Sequence, residues 1–267
     1  MSITAKHSAN IGDLIASLAG LRQYWYDTQE RFVYCQQLNV ESVYFQDAQH
    51  PTKDNGKQVM CNRSMFEMIK PLLLAQPYIE DFVEYVGQNV VINLDKIRGE
   101  TFVNMPGTAI QSWYFYAFPD LATDISQAWI HVPNSFNIYD KYADKILINF
   151  TCRYRNNFID YFFLKEHQDK LIFTGTEQEH KDFCAAWNIE IPLLVVEDFL
   201  ELAKIMKQCK FFLGNQSFCW NLANAIGVPR IVECFQLAPN CVPFVGKDNY
   251  GFYHQGGLEY YFNKLNK

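Results

Sequence analysis

One short segment of the sequence carries residues that could hold an anion. The apolar run 211–213 is followed by Gly214, Asn215, Gln216 and Ser217. Glycine lets the backbone turn sharply, and serine is a preferred capping residue of a helix, whose first free N–H groups and partial positive charge point outward. Helix starts of this kind bind phosphate at the carboxyl ends of parallel strands. The segment therefore predicts a diphosphate site at the helix that begins at Ser217; alternatively, Ser217 only caps a structural helix.

Two more strand ends in the same half of the chain suit an anion. Arg153 and Arg155 lie in the polar stretch 151–156, directly after the apolar run 146–150. A guanidinium group can bind phosphate oxygens through two N–H groups at once. Residues 174–176, Thr-Gly-Thr, are small and rich in hydroxyl groups. Because the G-x-G-x-x-G and Walker lysine motifs are both absent, a nucleoside diphosphate held outside those two schemes is predicted.

The elements that position these residues follow from hydrophobic periodicity. Five short apolar runs in the C-terminal half are typical of buried strands: 146–150, 171–174, 193–196, 211–213 and 230–232. Helical spacing between them predicts β–α units and a parallel sheet. Asp198 with Glu201 is a capping-box pattern that predicts a helix over 198–209, and Ser217 with Gly227 delimits the next helix. The C-terminal half is therefore predicted to be a Rossmann-like domain.

The N-terminal half is compatible with a second α/β unit. Strands are predicted at 3–7 and 90–94. After the first strand, a polar loop leads into a helix with apolar residues at helical spacing. Ser64 with Glu67 forms another capping-box pattern, and Pro71 is expected to end or kink that helix within two turns. The two halves would meet in the polar stretch that surrounds residue 138.

Composition limits the class of protein. Of the 267 residues, 49% are hydrophobic and 19% are charged, as in globular proteins. The formal net charge of -6, without any Lys/Arg run longer than a pair, disfavours the broad basic face of duplex-binding proteins. No apolar stretch reaches about 18 residues and no signal-peptide pattern opens the chain, so a cytoplasmic protein without a membrane span is expected. The eight cysteines and six histidines are dispersed, which predicts buried thiols and no metal site.

On these residues the sequence resembles the ADP-heptose:lipopolysaccharide heptosyltransferases, a glycosyltransferase family 9-like group with the GT-B fold. That family carries near its C-terminus an acidic residue, a small pair, a His, an Ala-rich helix and then G-x-P. The stretch 216–229 matches this layout, with Gln216 in place of the family's Asp and Asn221 in place of its His. The first predicted helix also matches, because Gly12 and Asp13 stand where the family has Gly-Asp after a small polar loop.

The resemblance implies a compact α/β protein of two Rossmann-like domains that face a cleft. Residues 1–138 would form the acceptor-side domain, and residues 139–267 the nucleotide-sugar domain, with a C-terminal helix at 258–265 that packs back onto the first domain. Asn10 and Gly12 would lie on the acceptor side. The implied donor-binding residues are Arg153, Arg155, Thr174, Gly175, Thr176, Asn215, Gln216, Ser217, Phe218, Asn221 and Glu233.

Asp13 is the candidate general base that the resemblance implies. An acceptor hydroxyl must lose its proton as it attacks the anomeric carbon, and a carboxylate within hydrogen-bond reach can take that proton. Alternatively, Asp13 is an ordinary helix cap. Glu179 and Glu233 could contact the donor ribose or sugar, although a helix-start or surface role is the alternative for both. The polar and aromatic segment 240–251 could close over the donor sugar or simply connect elements at the surface.

These observations predict a metal-independent glycosyltransferase without a cofactor, which moves a sugar from a nucleoside-diphosphate sugar to an acceptor hydroxyl. In the transition state the arginines and the Ser217 helix start would stabilise the charge on the leaving diphosphate. Two alternatives share the fold and the donor: a sugar-nucleotide 2-epimerase and a non-catalytic sugar-nucleotide-binding protein. The acceptor is open among a saccharide, a protein, a small molecule and a modified nucleobase.

Overall fold

The computed structural model describes residues 2–42, 52–98, 109–135, 137–237, 243 and 246–267. The described strands, in chain order, are β1 (Ile3–His7), β2 (Phe32–Gln36), β3 (Lys53–Asp54), β4 (Lys57–Gln58), β5 (Ile79–Glu84), β6 (Ile92–Asn93), β7 (Ile146–Asn149), β8 (Leu171–Phe173), β9 (Phe211–Asn215), β10 (Arg230–Glu233) and β11 (Asn249–Phe252). The described α-helices are α1 (Ile11–Thr28), α2 (Arg63–Leu74), α3 (Ile110–Ala117), α4 (Glu177–Trp187), α5 (Phe199–Gln208), α6 (Phe218–Ile226) and α7 (Gln255–Leu265).

The strands form two separate parallel sheets, one in each half of the chain. The N-terminal sheet has the order β5-β2-β1-β6, and the C-terminal sheet has the order β11-β10-β9-β7-β8. All the pairings inside both sheets are parallel. β3 and β4 form a small antiparallel pair outside them. The predicted α/β class with two Rossmann-like units is thus confirmed, whereas the boundary between residues 138 and 139 stays a prediction.

Several local predictions are confirmed and others are wrong. The helix over 199–208 begins at the Asp198 cap as predicted. The predicted strand at 193–196 is reduced to one bridge between Leu193 and Phe173, and segment 249–252, predicted as a loop, is β11 at the edge of the sheet. Residues 240–242 of that predicted loop lie outside the described residues.

Two N-terminal predictions also need correction. Asn62, not Ser64, caps α2, because its side chain accepts the N–H of Met65, and the helix continues one turn beyond Pro71. Of the buried strand predicted at 90–94, only the two residues of β6 (Ile92–Asn93) form a strand. Val91 is 68% exposed because it precedes a short edge strand.

The helices between the sheets bury one apolar core that both halves share. α1 packs against α6, and α2 packs against α5. Leu14 and Leu18 of α1 belong to the same buried cluster as Leu222 of α6 and Phe212 of β9. Burying these faces removes apolar surface of both halves from water, which is the main favourable contribution to folding. The two sheets are therefore joined by a common layer of helices.

The buried face of the C-terminal helix α7 packs within the C-terminal half and not, as far as the described residues extend, on the N-terminal half as expected. Its buried residues Leu258 and Phe262 lie one turn apart and enter a second core on the other face of the C-terminal sheet. The ring of Phe262 makes edge contacts with Phe163 and Phe211, at centroid distances of 5.2 and 5.4 Å. The helix thus closes its own domain.

Gly214 sets the spacing of β7 and β9 at the centre of the C-terminal sheet. A Cβ at this position would lie 2.5 Å from the backbone oxygen of Asn149 and 2.7 Å from Cζ of Phe212. We expect Gly214→Ala to lower the free energy of unfolding by about 1–3 kcal/mol, the usual cost of overpacking. Urea unfolding measures this. The matched control is Gly256→Ala, because a Cβ at Gly256 has no neighbour closer than 3.7 Å; equal stability of the two variants would contradict the expectation.

Candidate functional site

The starts of α1 and α6 meet where the two halves join. A Cβ on Gly12 would lie 3.2 Å from Nδ2 of Asn221 and 3.1 Å from Oδ1 of Asn10. Gly12 therefore allows the starts of α1 and α6 to approach each other closely. Asn10 and Gly12, predicted on the acceptor side, lie together with Asn221, predicted on the donor side. Two helix N-termini, each with a partial positive charge, are adjacent here.

Ser217 caps α6 and links three strand ends. Its Oγ accepts the N–H of Trp220 at 3.3 Å and donates to Oδ1 of Asn149 at 2.7 Å. Nδ2 of Asn149 in turn donates to the backbone oxygen of Thr174 at 2.7 Å. The capping alternative for the Ser217 side chain is thus correct. Any anion here would be bound by first-turn N–H groups, which have no acceptor inside a helix. The sequence analysis missed Asn149, although a polar residue inside a buried run is a usable signal.

Arg153 carries a buried charge without an acidic partner among the described residues. The side chain lies at the carboxyl end of β7, and the residue is only 8% exposed. Within the described part of the chain its Nη1 finds no hydrogen-bond partner, which is rare for a buried donor. The described part of the chain contains no ion pair that includes Arg153. Geometry of this kind suits an anionic ligand.

Asn215 fixes the loop that carries Arg153 and is not free to bind a donor. Its Nδ2 donates to the backbone oxygen of Arg153 at 2.5 Å, and its Oδ1 accepts the N–H of Thr151 at 3.0 Å. Gln216 has a similar role, since its Oε1 accepts the N–H of Phe235 at 2.7 Å. Both side chains support the strand ends, because buried amides must find partners. This role replaces the predicted donor contact of Asn215, whereas that of Gln216 stays a prediction.

Arg155 and Glu233 form a buried ion pair, which gives both side chains a structural role, and their predicted donor contacts stay predictions. Arg155 Nε donates to Glu233 Oε2 at 2.9 Å, and the hydroxyl of Tyr161 donates to the same oxygen at 2.7 Å. Both the backbone N–H and the side-chain Nδ2 of Asn156 donate to Oε1. Burial, followed by the neighbouring Glu233 charge, raises the pKa of Tyr161 well above its usual value. The segment after β7 reaches across β9 to the end of β10, so the opposite charges lie side by side and neutralise each other.

The third strand end is also structural. Thr176 caps α4 in a capping box with Glu179: its Oγ1 accepts the N–H of Glu179 at 3.2 Å, and the Glu179 carboxylate accepts the N–H of Thr176 at 3.1 Å. The helix-start role of Glu179 is therefore confirmed. Gly175 has a φ of 147°, and a Cβ there would lie 3.0 Å from Nδ2 of Asn149. Phe218 packs on Phe199 at a centroid distance of 4.4 Å.

Asp13 is not a helix cap, so that alternative is wrong. Asn10 caps α1, because its Oδ1 accepts the N–H groups of Gly12 and Asp13 at 2.9 and 3.1 Å. Asp13 is 5% exposed, and its Oδ2 accepts a hydrogen bond from Nη2 of Arg98 in an ion pair. The carboxylate raises the pKa of Arg98. Arg98, at the end of the 3-10 helix Leu94–Arg98, was missed because no sequence pattern singles it out.

A buried polar network lies behind Asp13. Nε2 of His7 lies 2.9 Å from the hydroxyl of Tyr114, and that hydroxyl donates to the backbone oxygen of Asp13 at 3.1 Å. Because the hydroxyl proton is used there, His7 carries its own proton on Nε2. Burial lowers the pKa of His7, against the opposing effect of Asp95 and Asp13. The neutral imidazole thus holds Tyr114, and Tyr114 holds the first turn of α1.

Tyr154 connects the two halves of the site. Its φ of 52° lies in the left-handed region, which costs a bulky residue on the order of 1–3 kcal/mol. Its ring lies 5.9 Å from that of Phe235, and Tyr154 is near enough to Arg98 to raise the pKa of that guanidinium. The left-handed turn separates Arg153 from Arg155. Strain at a strand end of this kind is typical of binding and catalytic sites.

The described residues also bear on metal binding, membrane insertion and thiol chemistry. Within those ranges, no group of three or more His, Cys, Asp or Glu side chains could hold a metal ion. No helix in the same part of the chain is long and apolar enough to cross a membrane. Five of the cysteines, Cys35, Cys61, Cys209, Cys219 and Cys234, are buried free thiols, whereas Cys152 is exposed.

Comparison with solved structures identifies the architecture. No protein-family model and no curated protein matches the sequence. A glycosyltransferase of family 9 from Veillonella parvula superposes with a TM-score of 0.61 at 11% identity, over 98% of this chain and 88% of that one. Escherichia coli ADP-heptose lipopolysaccharide heptosyltransferase II gives 0.61 at 12% identity, over 100% and 98%.

The dodecameric iron-containing heptosyltransferase TibC of E. coli gives a TM-score of 0.59 at 14% identity, over 99% of this chain and 76% of that one. The chain has the GT-B fold. At this identity the likeness concerns the fold alone, so the chemistry must be argued from the residues of this chain.

Proposed function

We propose that the protein transfers a sugar from a nucleoside-diphosphate sugar to an acceptor hydroxyl. The observation that carries this proposal is the buried Arg153 guanidinium at a strand end of the C-terminal sheet, whose Nη1 has no partner among the described residues. In open α/β sheets, ligands bind outside the carboxyl ends of the strands. The solved structures with this fold include a heptosyltransferase in complex with ADP-D-β-D-heptose. A diphosphate is the ligand that such a cationic strand end fits best.

The proposed donor site has two sources of positive charge. Arg153 supplies a full charge, and the first turn of α6 supplies N–H groups and the partial charge of the helix dipole. Both would act on the diphosphate, which gains negative charge as the bond to the sugar breaks. Because the groups are already in place and partly shielded from water, they stabilise the leaving group without reorganisation. We therefore propose that transfer requires no metal ion.

On the acceptor side, Asp13 is the proposed general base. The acceptor hydroxyl attacks the anomeric carbon, its proton passes to the Asp13 carboxylate, and the nucleoside diphosphate leaves with the electron pair of the broken bond. Arg98 orients the carboxylate through the bond to Oδ2, and Tyr114 fixes the backbone of the same residue. The cytoplasmic location expected from the sequence stays a prediction.

Nucleoside diphosphates test the donor site directly. We expect ADP, UDP, GDP or CDP at saturating concentration to raise Tm, since a ligand at 100 times its Kd stabilises the folded state by about 2.7 kcal/mol. Arg153→Met should weaken binding about 10- to 100-fold, the cost of one charge-assisted hydrogen bond. The ligand-free variant should be no less stable than the wild type, because it loses a buried charge without a counter-ion.

The control for this experiment is Arg63→Met, which removes an exposed arginine from α2. Its affinity for the nucleotide should match that of the wild type. If none of the four nucleotides raises Tm of the wild type, or if Arg153→Met binds as tightly as Arg63→Met, the proposed donor site is wrong.

A further inference from the structure

Exposed aromatic side chains concentrate around the start of α7. The described residues include six strongly exposed aromatic side chains: Tyr26, Tyr116, Phe158, Phe162, Tyr253 and Tyr260. Phe158 and Phe162 lie in one segment, and Tyr253 and Tyr260 lie in another. The two segments contact each other, because the N–H of Asp160 donates to Oε1 of Gln255 at 3.0 Å. Clusters of exposed apolar groups of this kind mark binding surfaces more often than single exposed residues do.

An open pocket of about 520 Å³ lies at the start of α7, where Tyr253 and Tyr260 line it. Six of its residues define what we call the tyrosine pocket: Tyr253, His254, Gly256, Gly257, Tyr260 and Tyr261. The volume falls within the range of small-ligand sites, about 300–1,000 Å³. Among the described residues that line it, none is Asp, Glu, Lys or Arg. The lining therefore suits an uncharged ligand.

The rings of the pocket are held in fixed orientations. Tyr261 stacks on Tyr250, with centroids 4.6 Å apart and an angle of 5° between the planes. Tyr260 meets the edge of Tyr261 at 5.3 Å and remains 63% exposed. A pre-ordered, exposed ring can bind the apolar face of a ligand without losing much side-chain entropy.

Hydrogen-bonding groups surround these rings. Nδ1 of His254 accepts the N–H of Gly257 at 3.1 Å, so the proton of the neutral ring lies on Nε2, which can donate to a ligand. Gly256 leaves the space above the first turn of α7 open, since a Cβ there would have no neighbour closer than 3.7 Å. Packing against neighbouring atoms therefore does not require a glycine at position 256. The glycine is present even though it lowers helix stability by about 1 kcal/mol relative to alanine.

We propose that the tyrosine pocket binds an uncharged saccharide. Saccharides combine a flat apolar face, which stacks on an aromatic ring, with a rim of hydroxyl groups, which pair with histidine, tyrosine and backbone groups. The pocket begins at the carboxyl end of β11, and β11 lies two strands, or about 10 Å, from β9, the strand that leads to Ser217. The assignment of this saccharide as part of the acceptor rests on the proposed function, the transfer of a sugar to an acceptor hydroxyl.

Saturation-transfer NMR with maltotriose, cellotriose and tri-N-acetylchitotriose tests the pocket. We expect at least one of these neutral probes to bind the wild type at millimolar or lower concentration, with contacts to the sugar ring protons. Gly256→Phe should weaken binding at least tenfold by filling the pocket, without loss of Tm, because it removes a glycine from a helix. Tyr260→Ser should weaken it by removing the exposed ring. The matched control is Tyr26→Ser, which removes an exposed tyrosine from α1 and should bind as the wild type does.

Two results would overturn the proposal. One is that no probe binds the wild type; the other is a concentration-dependent dimer, seen by analytical ultracentrifugation, that Tyr260→Ser abolishes, since the surface would then join two copies of the chain. A failure of the proposed donor site can be distinguished from a failure of the tyrosine pocket. A wild type that binds a probe but shows no rise in Tm with any nucleoside diphosphate would support the saccharide site and contradict the proposed transferase.

Discussion

Asp13→Asn is expected to lower the rate of sugar transfer by about 10²- to 10⁴-fold, the range by which a positioned general base accelerates a reaction. The amide keeps the shape of the side chain but cannot take the acceptor proton. Release of nucleoside diphosphate and formation of the glycosylated product, followed by mass spectrometry, measure the loss. Binding of nucleoside diphosphate should be retained, because Arg153 and the start of α6 are unchanged.

Asp27→Asn is the matched control for Asp13, because it changes an exposed aspartate on the same helix. Its transfer rate should equal that of the wild type. Transfer by Asp13→Asn at the wild-type rate would exclude Asp13 as the base. A wild type that binds nucleotide sugar but neither transfers nor rearranges it would instead favour the non-catalytic alternative.

Glu233→Ala is expected to lower the free energy of unfolding by about 3–5 kcal/mol, the usual cost of removing one partner from a buried ion pair. Glu233 is fully buried and accepts hydrogen bonds from Arg155, Tyr161 and Asn156. Alanine would leave the guanidinium without its counter-ion and the other donors without an acceptor. Urea unfolding followed by circular dichroism measures the change.

The exposed Glu190→Ala serves as the control for Glu233 and should change stability by less than about 0.5 kcal/mol. The same experiment separates two roles of Glu233. If Glu233→Ala is as stable as the control but loses nucleotide affinity, the carboxylate acts on the ligand, as the sequence alone suggested, and its structural role is wrong.

Local patterns in the sequence were enough to predict most of the elements. Apolar runs predicted β7, β8, β9 and β10, since parallel strands buried on both faces have continuous hydrophobic sequences. The Asp198 and Ser217 caps were predictable because a cap depends only on residues within one turn. The edge strands β6 and β11 were missed or misassigned, because a strand that is buried on one side carries a weaker pattern.

The chemical environment of the site could not be predicted in the same way. Arg155 and Glu233 are 78 residues apart in the chain, and Arg98 and Asp13 are 85 apart. Which charges meet depends on strand order and register, and no short pattern encodes these. Residue type alone therefore made Arg155 and Arg153 equivalent candidates for phosphate binding. Only the three-dimensional arrangement distinguishes the paired guanidinium from the one that is available.

The shared layer of helices has a consequence for how substrates enter. Opening the join between the two halves would expose the apolar contacts of α1 with α6 and of α2 with α5, at a cost of roughly 25 cal/mol for each Å². Many two-domain enzymes assemble their sites by hinge closure around the substrate. Here the contact between Gly12 and Asn221 already unites the two walls, so a hinge opening would have to expose this buried layer of helices before a substrate could enter.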